Sequence, residues 1–142
     1  MTAGSVTFEQ PSAYKPARRI ADLLNRSGKA VRSSQILIVG VAYKADVSDD
    51  RESASIEVAL HLQELGAQVS VLDELVDPSR VESHGFSLAD RDSDLETFDV
   101  AAILTDHSAV DYARIAQSVP AVFDARGIYR KLGIQADNVE SL

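Results

Sequence analysis

Fourteen residues in a row, Gly40-Val41-Ala42-Tyr43-Lys44-Ala45-Asp46-Val47-Ser48-Asp49-Asp50-Arg51-Glu52-Ser53, carry more charge than a simple connection needs. Lys44 and Arg51 are the cations of this stretch, and Arg126 in Asp124-Ala125-Arg126-Gly127 is a third, each placed after an apolar run. A lysine brings a point charge and an arginine a bidentate fork, and both suit phosphate oxygens. The first stretch is not a dinucleotide fingerprint. A G-x-G-x-x-G turn lets the backbone touch a pyrophosphate directly, whereas Gly40 stands here without the other two glycines, so phosphate binding falls to side chains. On residue types alone, Arg51 either does this work or pairs with Asp49, Asp50 or Glu52. Arg126 is likewise either part of the same site or a solvated loop arginine, while Asp124 is expected to fix its loop.

Other chemistry finds less support. Asp73 ends an apolar run where a dinucleotide fold keeps its ribose-binding acid, but it follows Gly40 by 33 positions and lacks the glycines. His107 can reach the same crevice, whereas His61 falls within a helical pattern and His84 in a polar turn, and no pair has metal-ligand spacing. Lys44 and Arg51 interleave with Asp46, Asp49 and Asp50, which argues against a magnesium site. With no cysteine there is neither a disulfide nor a thiol nucleophile, and neither G-x-S-x-G nor H-E-x-x-H is present. A net charge of −8 repels nucleic acid and anionic membranes, so any phosphate must be held locally. No apolar run approaches the roughly 20 residues of a membrane span, and the first 30 residues lack a secretory core. A cytoplasmic protein is expected.

The elements that must position these residues alternate in type. Residues 1–13 have no periodicity and are expected to be a disordered or added end. Helical spacing runs from Tyr14 to about Ser27, with Pro16 in its first turn and Gly28 after it. Gln35 to Gly40 (QILIVG) is a continuous apolar run suited to a strand buried on both faces of a parallel sheet. A helix over Ser55 to Leu65, closed by Gly66, and a strand over Gln68 to Leu72 complete a βαβ unit. Beyond it the pattern predicts a short helix at Pro78 to Ser83, an edge strand at Gly85 to Leu88, and a polar helix or turn at Arg91 to Thr97. A strand at Val100 to Leu104, a helix at Asp111 to Ser118 and a strand at Ala121 to Asp124 follow. This alternation predicts a single α/β domain with a doubly wound parallel sheet in three α/β/α layers, strand order 3-2-1-4-5. Ligands bind such sheets beyond the carboxyl ends of the strands, which is where the three cations fall.

Taken in order, Gly40-Val41-Ala42-Tyr43-Lys44, Asp46, Asp50-Arg51-Glu52-Ser53 and Asp124-Ala125-Arg126 resemble the C-terminal domain of the UDP-glucose/GDP-mannose dehydrogenase family. The likeness covers about Ser33 to Leu132. It implies a Rossmann-like UDP-sugar-binding domain over residues 31–142, preceded at 14–30 by the tail of the family's connecting helix. It also implies roles: Lys44 and Arg126 as substrate-binding residues on the UDP-sugar, and Arg51 as a cofactor-binding residue reaching NAD held mainly by a separate N-terminal domain. Ala125 departs from the family's D-[GT]-R segment, a change in loop packing rather than in charge. The family oxidises a C6 alcohol to a carboxylate through a cysteine thiohemiacetal, so a chain without cysteine is expected to have no catalytic residue and to be inactive alone. Thr105-Asp106-His107-Ser108 and Asp46 to Arg51 look more like members that oxidise UDP-N-acetylhexosamines for polysaccharide synthesis than like those acting on UDP-glucose. The implied partners are a UDP-sugar and the N-terminal domain, in a full-length homo-oligomer without nucleic acid or membrane. A stand-alone nucleotide-binding or protein-interaction module is the alternative.

Overall fold

The computed structural model describes residues 14–42 and 54–141. Six strands form one sheet: β1 (Gln35–Val39), β2 (Gln68–Leu72), β3 (Ser87–Leu88), β4 (Val100–Ile103), β5 (Val122–Asp124) and β6 (Val139–Ser141). Their order is β3-β2-β1-β4-β5-β6 and every pairing is parallel. The 3-2-1-4-5 order expected from the alternation is present, extended by a sixth strand. The helices are α1 (Tyr14–Arg26), α2 (Ala54–Glu64), α3 (Pro78–Ser83), α4 (Tyr112–Ser118) and α5 (Ile128–Leu132), with one 3-10 turn at Leu95–Thr97.

Central strands buried on both faces explain the unbroken apolar runs. Ile36, Leu37, Ile38 and Val39 are all fully buried, as are the four residues of β4. Because successive side chains alternate across a sheet, Ile36 and Ile38 pack with Ala17, Ile20 and Leu24 of α1, Val58 and Leu62 of α2 and Val81 of α3. Leu37 and Val39 enter the opposite core with Tyr112 and Ile115 of α4, Leu95 and Tyr129. The result is the three-layer α/β/α domain. At the end of α2, Gly66 takes a φ of +102° and its amide reaches Gln63 O, while Ala67 N reaches Leu62 O. This left-handed cap turns the chain straight into β2.

α1 is tied to the far edge of the sheet as well as to the core. Arg19 and Arg26 both bond the Glu140 carboxylate, at 3.0 and 2.7 Å, and Arg19 also lies over the Phe123 ring. Two elements, α5 and β6, lie beyond what the periodicity indicates. The expected polar element at Arg91 to Thr97 condenses to the single 3-10 turn, and the edge strand to Ser87–Leu88.

Candidate functional site

Strand order reverses between β1 and β4, and the described residues just past the carboxyl ends of β1 (Gly40 to Ala42), β2, β4 and β5 come together there. The closest approach is backbone on backbone. Gly40 sits at φ +84°, and a Cβ built on it would lie 2.0 Å from Thr105 O. Thr105 Oγ1 in turn donates to Ala42 O at 2.9 Å. A glycine ends β1 because the loop after β4 occupies the space of a side chain.

Asp73, at the end of β2, points into this junction with a fully buried carboxylate. Its Oδ2 accepts from Val41 N at 2.9 Å and Ala42 N at 3.1 Å, and its Oδ1 from Leu75 N at 3.0 Å. His107 Nε2 stands 3.0 Å from Oδ2. A carboxylate only accepts, so the facing imidazole nitrogen is the donor. One Tyr112 hydroxyl accepts from His107 N at 2.9 Å and donates to His107 O at 3.0 Å. These contacts give Asp73 and His107 structural roles. Asp73 is committed to loop amides and to His107, and the buried His107 ring, which borders the cleft described below, is bound to Asp73.

Fully buried Asp124 ends β5 and closes the turn that follows: Oδ1 accepts from Arg126 N at 3.1 Å and Oδ2 from Tyr129 N at 3.0 Å. Its expected loop-fixing role is therefore visible. Burial first, and then the nearby Asp124 charge, push the Tyr129 phenol above its ordinary range. That hydroxyl donates to Tyr112 O at 2.7 Å. Arg126 emerges at the carboxyl edge of the sheet, its side chain 43% exposed, with Nε donating to Asp106 Oδ1 at 3.0 Å. No hydrogen bond from its two terminal nitrogens is made among the described residues. Lys44 and Arg51, the other two cations of the expected site, lie outside the described residues.

A cleft of about 620 Å³ opens beside Asp73 and His107, with Leu72, Leu95, Val110 and Ile115 along it. Its charged groups face one another. Arg91 holds Glu74 at 2.8 Å, keeping that carboxyl below its usual range, and Arg114 donates to Arg91 O and Ser93 O. Among the described residues no group of three His, Asp or Glu could hold a metal ion, and no helix is long and apolar enough to cross a membrane. Those residues do not fit a complete dinucleotide site either. The amides of Val41 and Ala42, which a glycine fingerprint would offer to a pyrophosphate, are bound to Asp73.

Asp106 enters the sequence reading only within Thr105 to Ser108, and its pairing with Arg126 is what that reading missed. The signal for that pairing is its place three residues past β4, at the same sheet edge as Arg126.

Sheet order and loop placement define a doubly wound domain of the nucleotide-binding type. Residues 37–131 match the model of the UDP-glucose/GDP-mannose dehydrogenase family, UDP binding domain. The chain belongs to that family and corresponds to its C-terminal domain. The UDP-glucose 6-dehydrogenase of Rhizobium meliloti (strain 1021) is 31% identical over 116 residues, covering 74% of this chain and 26% of that protein. Among solved structures, a UDP-glucose dehydrogenase from Pyrobaculum islandicum superposes with a TM-score of 0.67 at 26% identity, over 89% of this chain and 29% of that one. A UDP-D-ManNAc dehydrogenase from Pyrococcus horikoshii gives 0.68 at 19% identity, over 91% and 29%, a likeness of fold alone. The chain thus spans about a quarter of the length of the curated relative it matches.

Proposed function

We propose that this chain forms the nucleotide-sugar wall of the cleft in an NAD-dependent UDP-sugar 6-dehydrogenase, an enzyme that takes a C6 alcohol to a carboxylate. The observation that carries the reading is Arg126. It lies within the family match, at the carboxyl edge of the sheet, with its backbone fixed by Asp124 and, among the described residues, no hydrogen bond on its two terminal nitrogens. In this reading Lys44 and Arg126 contact the UDP part, and Arg51 reaches NAD held mainly by a separate N-terminal domain. NAD supplies hydride acceptance when bound there. The chain's own task is to bind and orient the sugar nucleotide. Because it has no cysteine, it cannot form the thiohemiacetal and is inactive alone. A UDP-N-acetylhexosamine is favoured over UDP-glucose by the residues around Thr105 to Ser108 and Asp46 to Arg51. The whole enzyme is proposed to be a cytoplasmic homo-oligomer serving polysaccharide synthesis.

Calorimetric titration with UDP tests the reading. A domain that forms only part of the cleft should bind at millimolar to high micromolar Kd. Losing one charge-assisted contact costs about 1.5 to 3 kcal/mol, roughly a ten- to hundredfold weakening. That loss is expected for Lys44→Ala and Arg126→Ala and not for Arg51→Ala, whose partner is the cofactor. No UDP binding, or equal effects from all three variants, would overturn the assignment. So would NAD reduction by this chain with a UDP-sugar.

A further inference from the structure

Arg126 is a long side chain at the surface, and an arginine that samples many rotamers must be ordered before it can grip a phosphate. Asp106 orders it in advance. The carboxylate takes the inner nitrogen, Nε, at 3.0 Å, and among the described residues the terminal pair makes no hydrogen bond and can face a ligand. Asp106 is itself set between two buried, fastened neighbours. Thr105 donates to Ala42 O, and His107 is held on its ring by Asp73 and on its backbone by Tyr112. From the other side, Asp124 fixes the Arg126 backbone. An acidic residue beside an anion site would, as a bare charge, oppose binding. Its placement on the inner nitrogen suits orientation instead.

We propose that Asp106 is a positioning residue that holds Arg126 in the rotamer that receives the phosphate oxygens of the sugar nucleotide. The proposal rests on the reading of Arg126 given above. Charge and orientation predict opposite signs, which makes it testable on this chain with UDP as the probe. As a half-exposed ion pair, the contact contributes little to stability, so the variants should fold, which circular dichroism checks. Asp106→Ala removes a negative charge and yet is expected to weaken UDP binding by about threefold to tenfold, the range for ordering one long side chain on binding. Asp106→Asn keeps an acceptor for Nε without the charge and should restore affinity to the parent level or above it. In an Arg126→Ala background, Asp106→Ala should change nothing further. Tighter binding by Asp106→Ala, or failure of Asp106→Asn to rescue, would overturn the proposal while leaving Arg126 as a ligand residue. If Arg126→Ala does not weaken UDP binding, the underlying reading fails and this proposal with it.

Discussion

Replacing Gly40 by alanine should be among the most damaging single changes available to this domain, although it adds only one methyl group. The added Cβ would lie 2.0 Å from Thr105 O, 2.7 Å from Thr105 C and 2.8 Å from Thr105 Cβ. Two of these atoms are backbone, so no side-chain rotation relieves the contact. The ends of β1 and β4 would have to separate by about 1.4 Å or more to restore an ordinary van der Waals distance. The φ of +84° adds a second penalty, since an L side chain in left-handed conformation costs about 1 to 2 kcal/mol. Overpacking of a dense interior typically costs about 1 to 3 kcal/mol more. Together these give about 2 to 5 kcal/mol, a large part of the 5 to 15 kcal/mol typical of a whole domain. Urea denaturation followed by circular dichroism measures the loss directly. A loss below about 1 kcal/mol, with the urea dependence unchanged, would mean that the two loops are not in contact as described. Because Asp106 follows Thr105, a Gly40→Ala protein that still folds should also bind UDP more weakly.

Three further outcomes follow from the same geometry. Asp73→Asn removes one of two acceptor oxygens that serve three amides and an imidazole, and should cost roughly 1.5 to 3 kcal/mol by urea unfolding. Arg26, and then Arg19, hold the Glu140 carboxyl below its usual range, partly offset by burial. Their contribution to stability is present above the unfolded value of about 4.3 and is lost as pH falls through the lower folded value. Glu140→Gln should therefore narrow the gap between unfolding midpoints measured at pH 7 and at pH 3; an unchanged gap would refute the linkage. Tyr129→Phe removes the hydrogen bond from the phenol to Tyr112 O and should cost about 1 kcal/mol, a loss that a thermal melt of this chain should show as roughly 3 to 5 °C.

What the sequence discloses here depends on whether a signal is local. QILIV and VAAI announce themselves because a strand covered on both faces has no polar positions to interrupt it. Asp77, Asp94 and Asp111 each cap a helix or turn that begins at the next residue, another local pattern. α5 and β6 escape for the converse reason. IYRKL is five residues between Gly127 and Gly133, too short for a period, and VES is half-buried throughout with a glutamate whose partners lie 121 and 114 residues away. At the site, the position of Arg126 past β5 is legible as soon as β5 is. The partners of Asp73 are not, because its work is done on amides 31 and 32 residues earlier. An acid at the end of the second strand looks the same in sequence whether it faces a ribose or its own chain.

The clamp between α1 and β6 bears on how force would travel through this domain. One carboxylate holds two arginines a helical span apart, while Ala17, Ile20, Leu23 and Leu24 are sunk in the core on the same helix. The helix is therefore held at its buried face and along its charged flank. Its contacts continue into β6, and through the ladder into β5 and the Asp124 turn. On this geometry α1 and the loop that bears Arg126 are joined through one continuous path of side-chain and ladder contacts.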